Sequence, residues 1–201
     1  MNVIGLTGVA GAGKSTVAQY LVEAHGYTRL SFAAPLKKML RTLDPVLVTQ
    51  PEFYSPPSTF KLSLALDFFG SEQKLKESKY GDEYRRLLQV LGTDCIRSID
   101  PEFWIKAAEK SLTDPNGKYV FDDVRFPNEA DLIKKYGEYG LWNVVRPGYE
   151  AVNGHSSEAH AGKMGENLHV VNDSSEEALR AQLDMMLEFA FSGERGPFAS
   201  I

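Results

Sequence analysis

Cysteine is nearly absent from the sequence, because Cys95 is the single one among 201 residues. One cysteine excludes a disulfide within the chain and a zinc site built from several cysteines, and it is typical of proteins in a reducing compartment. We interpret Cys95, in the segment LGTDCIRS, as a buried thiol, with a nucleophile as the alternative.

Positive charge and long apolar runs are also scarce. The chain has 22 lysines and arginines against 27 aspartates and glutamates, which gives a formal net charge of -5. This balance argues against a surface that wraps nucleic acid or lies on an anionic membrane, although a small anionic ligand needs only a local basic site. No apolar stretch is long enough to span a bilayer, and the first residues lack the basic start of a signal peptide. We therefore expect a cytoplasmic protein that has neither a nucleic acid polymer nor a membrane as partner.

What the sequence does contain is an alternation of short apolar runs with stretches of helical spacing. Five segments predict strands: VIGL, TRLSF, KYVFDD, LWNVVRP and LHVVND. Six others predict helices: KSTVAQYLVEAHG, APLKKMLRTL, DEYRRLLQVLG, DPEFWIKAAEKSL from Pro101, PNEADLIKKYG, and SSEEALRAQLDMMLEFA with a capping box at Ser174. This alternation predicts a single three-layer α/β domain with ligands at the carboxyl ends of its strands.

Two segments lack this periodicity. We interpret Pro45–Tyr80, which prolines interrupt, as an insertion that moves or caps a site, with a surface loop without a role as the alternative. The stretch Gly148–Gly165 has the composition of a mobile lid that would exclude water, and an ordinary surface loop is its alternative.

The most informative motif is GVAGAGKST, at Gly8–Thr16, between the first predicted strand and the first predicted helix. Gly8, Gly13, Lys14 and Ser15 complete the pattern G-x-x-x-x-G-K-[ST]. Glycines let backbone N–H groups surround phosphate oxygens, and the positive end of the helix dipole adds attraction. Lys14 would reach the β- and γ-phosphates and Ser15 would ligate Mg²⁺. The motif therefore predicts a site for the phosphates of a nucleotide.

A phosphate loop alone does not separate a kinase from a GTPase, a motor ATPase or a nucleotide sensor. The sequence has no N-K-x-D motif of the kind that reads guanine. In YVFDDVRF, Asp122 or Asp123 could join a Mg²⁺ shell, but no adjacent glutamate offers a base for hydrolysis. These observations favour transfer to an acceptor over hydrolysis.

Arginines are the side chains that suit a second anionic substrate, because their planar fork grips phosphate and keeps its charge. Arg125 and Arg146 follow predicted strands, so we expect them at the ligand edge of the sheet. Arg97 lies in GTDCIRS, and the helical period allows only one of Arg85 and Arg86 to face a site. The arginine set predicts a phosphotransferase rather than a sensor.

Other polar and aromatic side chains are weaker candidates. Gln89, Asp94 and Trp104 could contact a base, although a core position is favoured for Trp104. His155 and His160 lie in a predicted loop without a nucleophile pattern, so a metal site there is disfavoured.

The segments GLTGVAGAGKST, SFAAPLKKML, RRLLQVLGTDCIRSIDPEFW, VFDDVRFPNEA and RPGYEAVNGHSSE together resemble the deoxynucleoside monophosphate kinases of tailed bacteriophages. The first motif is generic, whereas LLQxLGTDxxR, DVRFPNE and RPG followed by HSSE are more specific. The resemblance covers most of the chain and leaves out Pro45–Tyr80. It implies a five-stranded parallel sheet with helices on both faces, a substrate-binding insertion and a lid.

The resemblance also implies an activity and partners. The reaction is transfer of the ATP γ-phosphate to a deoxynucleoside 5'-monophosphate with Mg²⁺, which gives the diphosphate and ADP. The alternatives are another small-molecule P-loop kinase, such as a dephospho-coenzyme A kinase, and a non-catalytic ATP-binding switch. The resemblance further implies a homodimer, for which no sequence feature marks an interface, and the host-cell cytoplasm as location if the chain is phage-encoded.

Roles follow from the matching motifs. The residues implied for the ATP phosphates are Gly8, Ala10, Gly11, Ala12, Gly13, Lys14, Ser15, Thr16 and Arg146. Ser15 and Asp123, the better match of the two acids, would hold Mg²⁺, and Arg125 would lie near the transferring phosphate. The residues implied for the acceptor are Ser31, Phe32, Lys37, Arg85, Gln89, Arg97 and Arg125, with a packing role as the alternative for the SFAAPLK segment.

Overall fold

The computed structural model describes residues 1–49, 56–148 and 162–191. In chain order its strands are β1 (Asn2–Thr7), β2 (Thr28–Leu30), β3 (Val46–Val48), β4 (Thr59–Lys61), β5 (Lys118–Phe121), β6 (Leu141–Val145) and β7 (Leu168–Val171). Its helices are α1 (Lys14–His25), α2 (Ala34–Leu43), α3 (Leu62–Phe69), α4 (Glu72–Glu77), α5 (Gly81–Gln89), a π-helix (Val90–Arg97), α6 (Phe103–Glu109), α7 (Pro127–Lys135) and α8 (Glu176–Phe191). The chain divides into two compact units, a sheet unit (Met1–Phe32 with Ile105–Ile201) and a helical unit (Ala33–Trp104).

The sheet unit is built on five parallel strands in the order β2-β5-β1-β6-β7. β1 lies at the centre, where Ile4 pairs with Val120 of β5 and Leu6 pairs with Trp142 of β6. Every residue of β1 after Asn2 is buried, as expected for a parallel strand covered on both faces. The predicted five-stranded parallel sheet is confirmed.

Helices cover both faces of this sheet, and successive strand residues contribute to opposite cores. Ile4 and Leu6 pack with side chains of α1 and α8 in one core. Val3 and Phe121 pack with side chains of α6 and α7 in the other. The three-layer α/β arrangement predicted from the alternation of patterns is therefore confirmed.

The helical unit has a core of its own. Its members come from α2 to α5 and from the antiparallel pair β3 and β4, and the buried ones are Leu40, Leu47, Leu62, Ala65, Leu75, Tyr80 and Tyr84. The weakly patterned stretch Pro45–Tyr80 contributes both strands and two of the helices. Each strand has 3 residues and the helices have 8 and 6, which is too short for a period to be recognised. A single domain with an insertion at Pro45–Tyr80 stays a prediction.

The region after α5 differs from its prediction. The helix predicted over DEYRRLLQVLG continues beyond Gln89 as a π-helix to Arg97. Cys95 lies on this π-helix and is exposed, so its interpretation as a buried thiol is wrong. Trp104 is 4% exposed and its indole N–H donates to the carbonyl of Gly92 at 3.1 Å, which confirms its core position.

Two helix starts also differ from the sequence expectation. α6 begins at Phe103 rather than Pro101, because the carboxylate of Asp100 accepts the N–H of Glu102 in a turn. At α8 the hydroxyl of Ser175 accepts the N–H of Ala178 at 3.3 Å, so the cap is one residue later than predicted. Among the described residues, no helix combines the length and the apolar composition needed to cross a membrane.

Candidate active site

The phosphate loop connects β1 to α1 at the carboxyl edge of the sheet. Gly8 and Gly13 have φ angles of 132° and 106°, which side chains other than glycine rarely tolerate. A methyl group on Gly8 would also lie 2.3 Å from the carbonyl oxygen of Val144. Backbone conformation at Gly8 and Gly13, and packing at Gly8, therefore favour glycine at these motif positions. The middle of the loop is accessible, because Ala10 and Gly11 are exposed.

Lys14 lies across this loop. Its ammonium donates to the carbonyl oxygens of Gly8 at 2.6 Å and Val9 at 2.8 Å. The exposed Ser15 and Thr16 follow in the first turn of α1, which contains no acidic residue to neutralise the positive end of the helix dipole. The Lys14 ammonium and the N-terminus of α1 thus lie together at this loop, a combination that favours an anion.

Thr7, the last residue of β1, supports the fit of a ligand at this edge. It is 1% exposed, and its hydroxyl has no hydrogen-bond partner among the described residues. Buried hydroxyls are almost always paired, so an unpaired one directly before the loop suits a site that binds polar groups. The loop and its neighbours fit the phosphates of a nucleotide.

Two aspartates follow β5 at the same edge. Asp122 forms an ion pair with Arg29 of the neighbouring β2. Asp123 accepts the hydroxyl of Ser31 at 2.6 Å and the N–H of Phe32 at 3.0 Å. These two donors help to fix the Asp123 carboxylate at the end of β5.

A metal held by protein groups alone has no support in this region. No group of three or more histidine, cysteine, aspartate or glutamate side chains in the described part of the chain could hold a metal ion. A Mg²⁺ ion that arrives with a nucleotide needs fewer protein ligands, since phosphates and water complete its shell. The donor set of a hydroxyl at Ser15 and a carboxylate at Asp123 suits such an ion.

Arg125 and Arg146 follow β5 and β6, so both lie beyond the carboxyl end of a strand, as predicted. The side chains of both are exposed. The backbone N–H groups of Arg125 and Phe126 donate to one carboxylate oxygen of Glu129, at 2.8 and 3.2 Å. Glu129 is 3% exposed and lies in the first turn of α7. This buried carboxylate fixes the backbone that carries Arg125.

The helical unit contains the other predicted acceptor residues. Lys37 of α2 forms an ion pair with Glu72 of α4 at 2.9 Å, and Arg41 contacts the second oxygen of the same carboxylate at 3.0 Å. Burial by itself raises the pKa of Glu72, but the hydrogen bond and charge of Lys37, with the charges of Lys76 and Arg41, leave this pKa below its ordinary value. Lys37 therefore has a structural partner on its own unit.

Neighbouring arginines of α5 differ in how they are held. Arg86 binds both oxygens of Glu83, at 2.7 and 2.9 Å, in a fork. Arg85 has one ion pair within the described part of the chain, a 3.2 Å contact with Asp82, whose side chain is 95% exposed. Arg85 can change partner at lower cost, which agrees with the choice of Arg85 as the functional member of the pair. Its role stays a prediction.

Gln89 and Arg97 lie at the ends of two consecutive helices. Gln89 is the exposed last residue of α5, and the half-buried Arg97 is the last residue of the π-helix.

Phe32, by contrast, has a packing role. Its ring is 3% exposed and stacks on Phe121 with 4.6 Å between centroids. This is the alternative that the sequence left open for the SFAAPLK segment.

The structure thus assigns the predicted residues to two units. The sheet unit contains the phosphate loop, Ser31, Asp123, Arg125 and Arg146, all at strand ends. The helical unit contains Lys37, Arg85, Gln89 and Arg97. Most of the predicted lid, with His155 and His160, lies outside the described residues.

Sequence reasoning missed several residues that build this site. Asn172, directly after β7, donates its side-chain N–H to the carbonyl of Ala12 at 3.0 Å. Glu129 and Thr7 were also missed. A glutamate at the third helical position is a capping signal, and a polar residue after a strand marks the ligand edge, so Glu129 and Asn172 could have been found. The unpaired hydroxyl of Thr7 leaves no signal in the sequence.

A glycine loop closed by a lysine, at the central strand of a parallel sheet with helices on both faces, defines a P-loop nucleotide-binding protein with the three-layer fold of the P-loop kinases. Residues 67–183 match the model of the family described as deoxynucleotide monophosphate kinase. The chain belongs to this family, which confirms the resemblance seen in its motifs.

Individual relatives agree with this assignment. The first relative is named "Putative deoxynucleotide monophosphate kinase" and comes from Acanthamoeba polyphaga mimivirus. It is 31% identical over 91% of this chain and 94% of the relative. The deoxynucleotide monophosphate kinase of Enterobacteria phage T4 is 24% identical over 94% of this chain and 99% of the relative. The deoxynucleoside-5'-monophosphate kinase of Escherichia phage T5 is 26% identical over 66% of this chain and 72% of the relative. Family membership makes the chain a kinase that uses nucleotide substrates.

Proposed function

We propose that the protein transfers the γ-phosphate of ATP to a deoxynucleoside 5'-monophosphate. An oxygen of the acceptor's 5'-phosphate forms a bond to the γ-phosphorus while the bond from that phosphorus to the β-phosphate oxygen breaks, so the products are a deoxynucleoside diphosphate and ADP. The observation that carries the proposal is the Lys14 ammonium at 2.6 and 2.8 Å from two loop carbonyls, in a chain of this family.

The donor residues belong to the sheet unit. Backbone N–H groups of Gly8–Thr16 bind the β-phosphate, and Lys14 exchanges its loop carbonyls for β- and γ-phosphate oxygens. Bound Mg²⁺, held by Ser15 and Asp123, would supply further neutralisation of phosphate charge. Arg125 acts near the transferring group and Arg146 steadies the ATP phosphates, because guanidinium forks match phosphate oxygens.

The acceptor residues include Arg85, Gln89 and Arg97 of the helical unit, with Ser31 and Lys37. Two phosphorylated substrates repel each other, which raises the free-energy barrier to the transfer. Arginines lower that barrier by offsetting the charge and orienting the acceptor oxygen. Lys37 would have to share its charge between Glu72 and the substrate. The insertion at Pro45–Tyr80 and the lid at Gly148–Gly165 belong to the same proposal, as does a cytoplasmic location.

Release of ADP from Mg-ATP by the purified protein tests this function. Each deoxynucleoside monophosphate, its ribose counterpart and dephospho-coenzyme A is added separately. We expect acceptor-dependent ADP with one or more deoxynucleotides. Release with dephospho-coenzyme A alone would assign a different acceptor, and tight ATP binding without any acceptor response would assign a switch.

A further inference from the structure

Asn172 links the last strand of the sheet to the phosphate loop. Its backbone N–H donates to the carbonyl of Val145, the last residue of β6, at 2.8 Å. Its side-chain N–H donates to the carbonyl of Ala12 at 3.0 Å. The residue is thus anchored to the sheet at one end and to the loop at the other.

The same side chain fills the space beside Gly13. A methyl group on Gly13 would lie 2.4 Å from the Asn172 amide nitrogen, so the two residues are in close contact. Gly13 also has a φ angle of 106°, which side chains other than glycine rarely tolerate. The amide therefore supports the loop where it enters α1.

The hydrogen bond also sets the direction of a loop N–H group. The peptide between Ala12 and Gly13 is trans, so its carbonyl and its N–H point in opposite directions. Because the Ala12 carbonyl points to Asn172, the N–H of Gly13 points away from it. In a loop that binds phosphate by backbone N–H groups, that orientation decides whether one donor is available.

We propose that Asn172 is a positioning residue for phosphoryl transfer, acting through the Ala12–Gly13 peptide of the phosphate loop. This inference rests on the proposed function, because it takes ATP as the ligand of the loop. Asn172 itself need not touch the nucleotide.

The test compares Asn172→Ala and Asn172→Asp with the wild type in steady-state kinetics. Both variants lose the N–H donor, and the carboxylate of the Asp variant adds repulsion toward phosphate. We expect the KM for ATP to rise about 10- to 100-fold, more for Asp than for Ala, with the KM for the acceptor within about twofold of wild type.

Asn167→Ala is the matched control, since the Asn167 side chain also donates to a backbone carbonyl, that of Glu138 at 2.8 Å, outside the loop. We expect it to keep the wild-type KM for ATP. If both Asn172 variants lose thermal stability but match Asn167→Ala in kinetics, Asn172 is only structural and the proposal is overturned.

Direct binding of ADP, measured by calorimetry, separates this inference from the proposed function. If the wild type binds ADP but transfers no phosphate, the proposed function fails, while a weaker ADP affinity of Asn172→Asp than of Asn167→Ala still supports the positioning role. Equal affinities for ADP in all variants contradict that role whatever the reaction is.

Discussion

Lys14 is the residue whose charge the proposed reaction needs most. Its ammonium is 2.6 Å from the carbonyl oxygen of Gly8 and 2.8 Å from that of Val9, and its side chain is half-buried on the loop. None of these contacts belongs to a hydrophobic core, so its removal should affect the phosphates far more than the fold.

Replacement of Lys14 by alanine tests that assignment. We expect Lys14→Ala to lower kcat about a thousandfold or more, because the ammonium acts on charge that develops in the transition state. The melting temperature should stay near that of the wild type. Lys118→Ala is the control, since Lys118 also donates to a backbone carbonyl, that of His25 at 3.2 Å, outside the loop. Near-normal turnover of Lys14→Ala would contradict the ATP site.

Arg97 tests the acceptor side at the same scale. Arg97→Ala should raise the KM for the deoxynucleoside monophosphate or lower kcat, while the affinity for ATP measured by calorimetry stays nearly unchanged. The control is Arg86→Ala, because the Arg86 guanidinium is already bound by both carboxylate oxygens of Glu83. The kinetics of the Arg86→Ala variant should resemble those of the wild type. A loss of ATP affinity alone in Arg97→Ala would move this residue to the donor side.

Among the elements, the start of α7 shows how local structure positions a functional side chain. Proline at the first helical position and glutamate at the third are helix-start signals, and here the buried Glu129 binds the N–H groups of Arg125 and Phe126. The helix cap and the placement of Arg125 therefore depend on one carboxylate.

Glu129→Ala should lower the free energy of unfolding by about 2 kcal/mol, since a helix cap is lost and two N–H groups lose their partner. The kcat should fall as well if the backbone at Arg125 shifts. Urea unfolding and steady-state kinetics measure the two effects. Asp131→Ala, an exposed position on the same helix, is the control and should change stability by no more than about 0.5 kcal/mol. Equal stability of the two variants would show that Glu129 does not hold this turn.

The elements also show where sequence patterns suffice. Strands β1, β5, β6 and β7 were predictable because they are apolar runs bounded by turns. Helix α2 was predictable from Leu36 and Leu40 on one face. The 3-residue strands β3 and β4 were not predicted, because they show no period of their own and lie in the stretch Pro45–Tyr80, which prolines interrupt. The π-helix was not predicted because π-helices are rare and have no side-chain pattern of their own, so the exposure of Cys95 on it was not predicted either.

At the scale of the whole molecule, most of the predicted donor-site residues lie in the sheet unit, because its parallel strands end at one edge. Parallel strands bring Asp123, Arg125 and Arg146 to the same edge as the loop, although they are far apart in the chain. Asn172 contacts Ala12 across 160 positions of sequence, and only the fold reveals that pairing. The roles proposed for Arg85, Gln89 and Arg97 stay predictions from the motifs of the helical unit.

The central claim is transfer of a phosphoryl group from one nucleotide to another, and label transfer tests it most directly. ATP labelled in the γ-phosphate is incubated with Mg²⁺, a deoxynucleoside monophosphate and the purified protein, and the products are separated. We predict that the label appears in the deoxynucleoside diphosphate in amounts equal to the ADP formed, and that Lys14→Ala abolishes it. Label found only in inorganic phosphate, or no label transfer with any of the deoxynucleotides, would contradict the account.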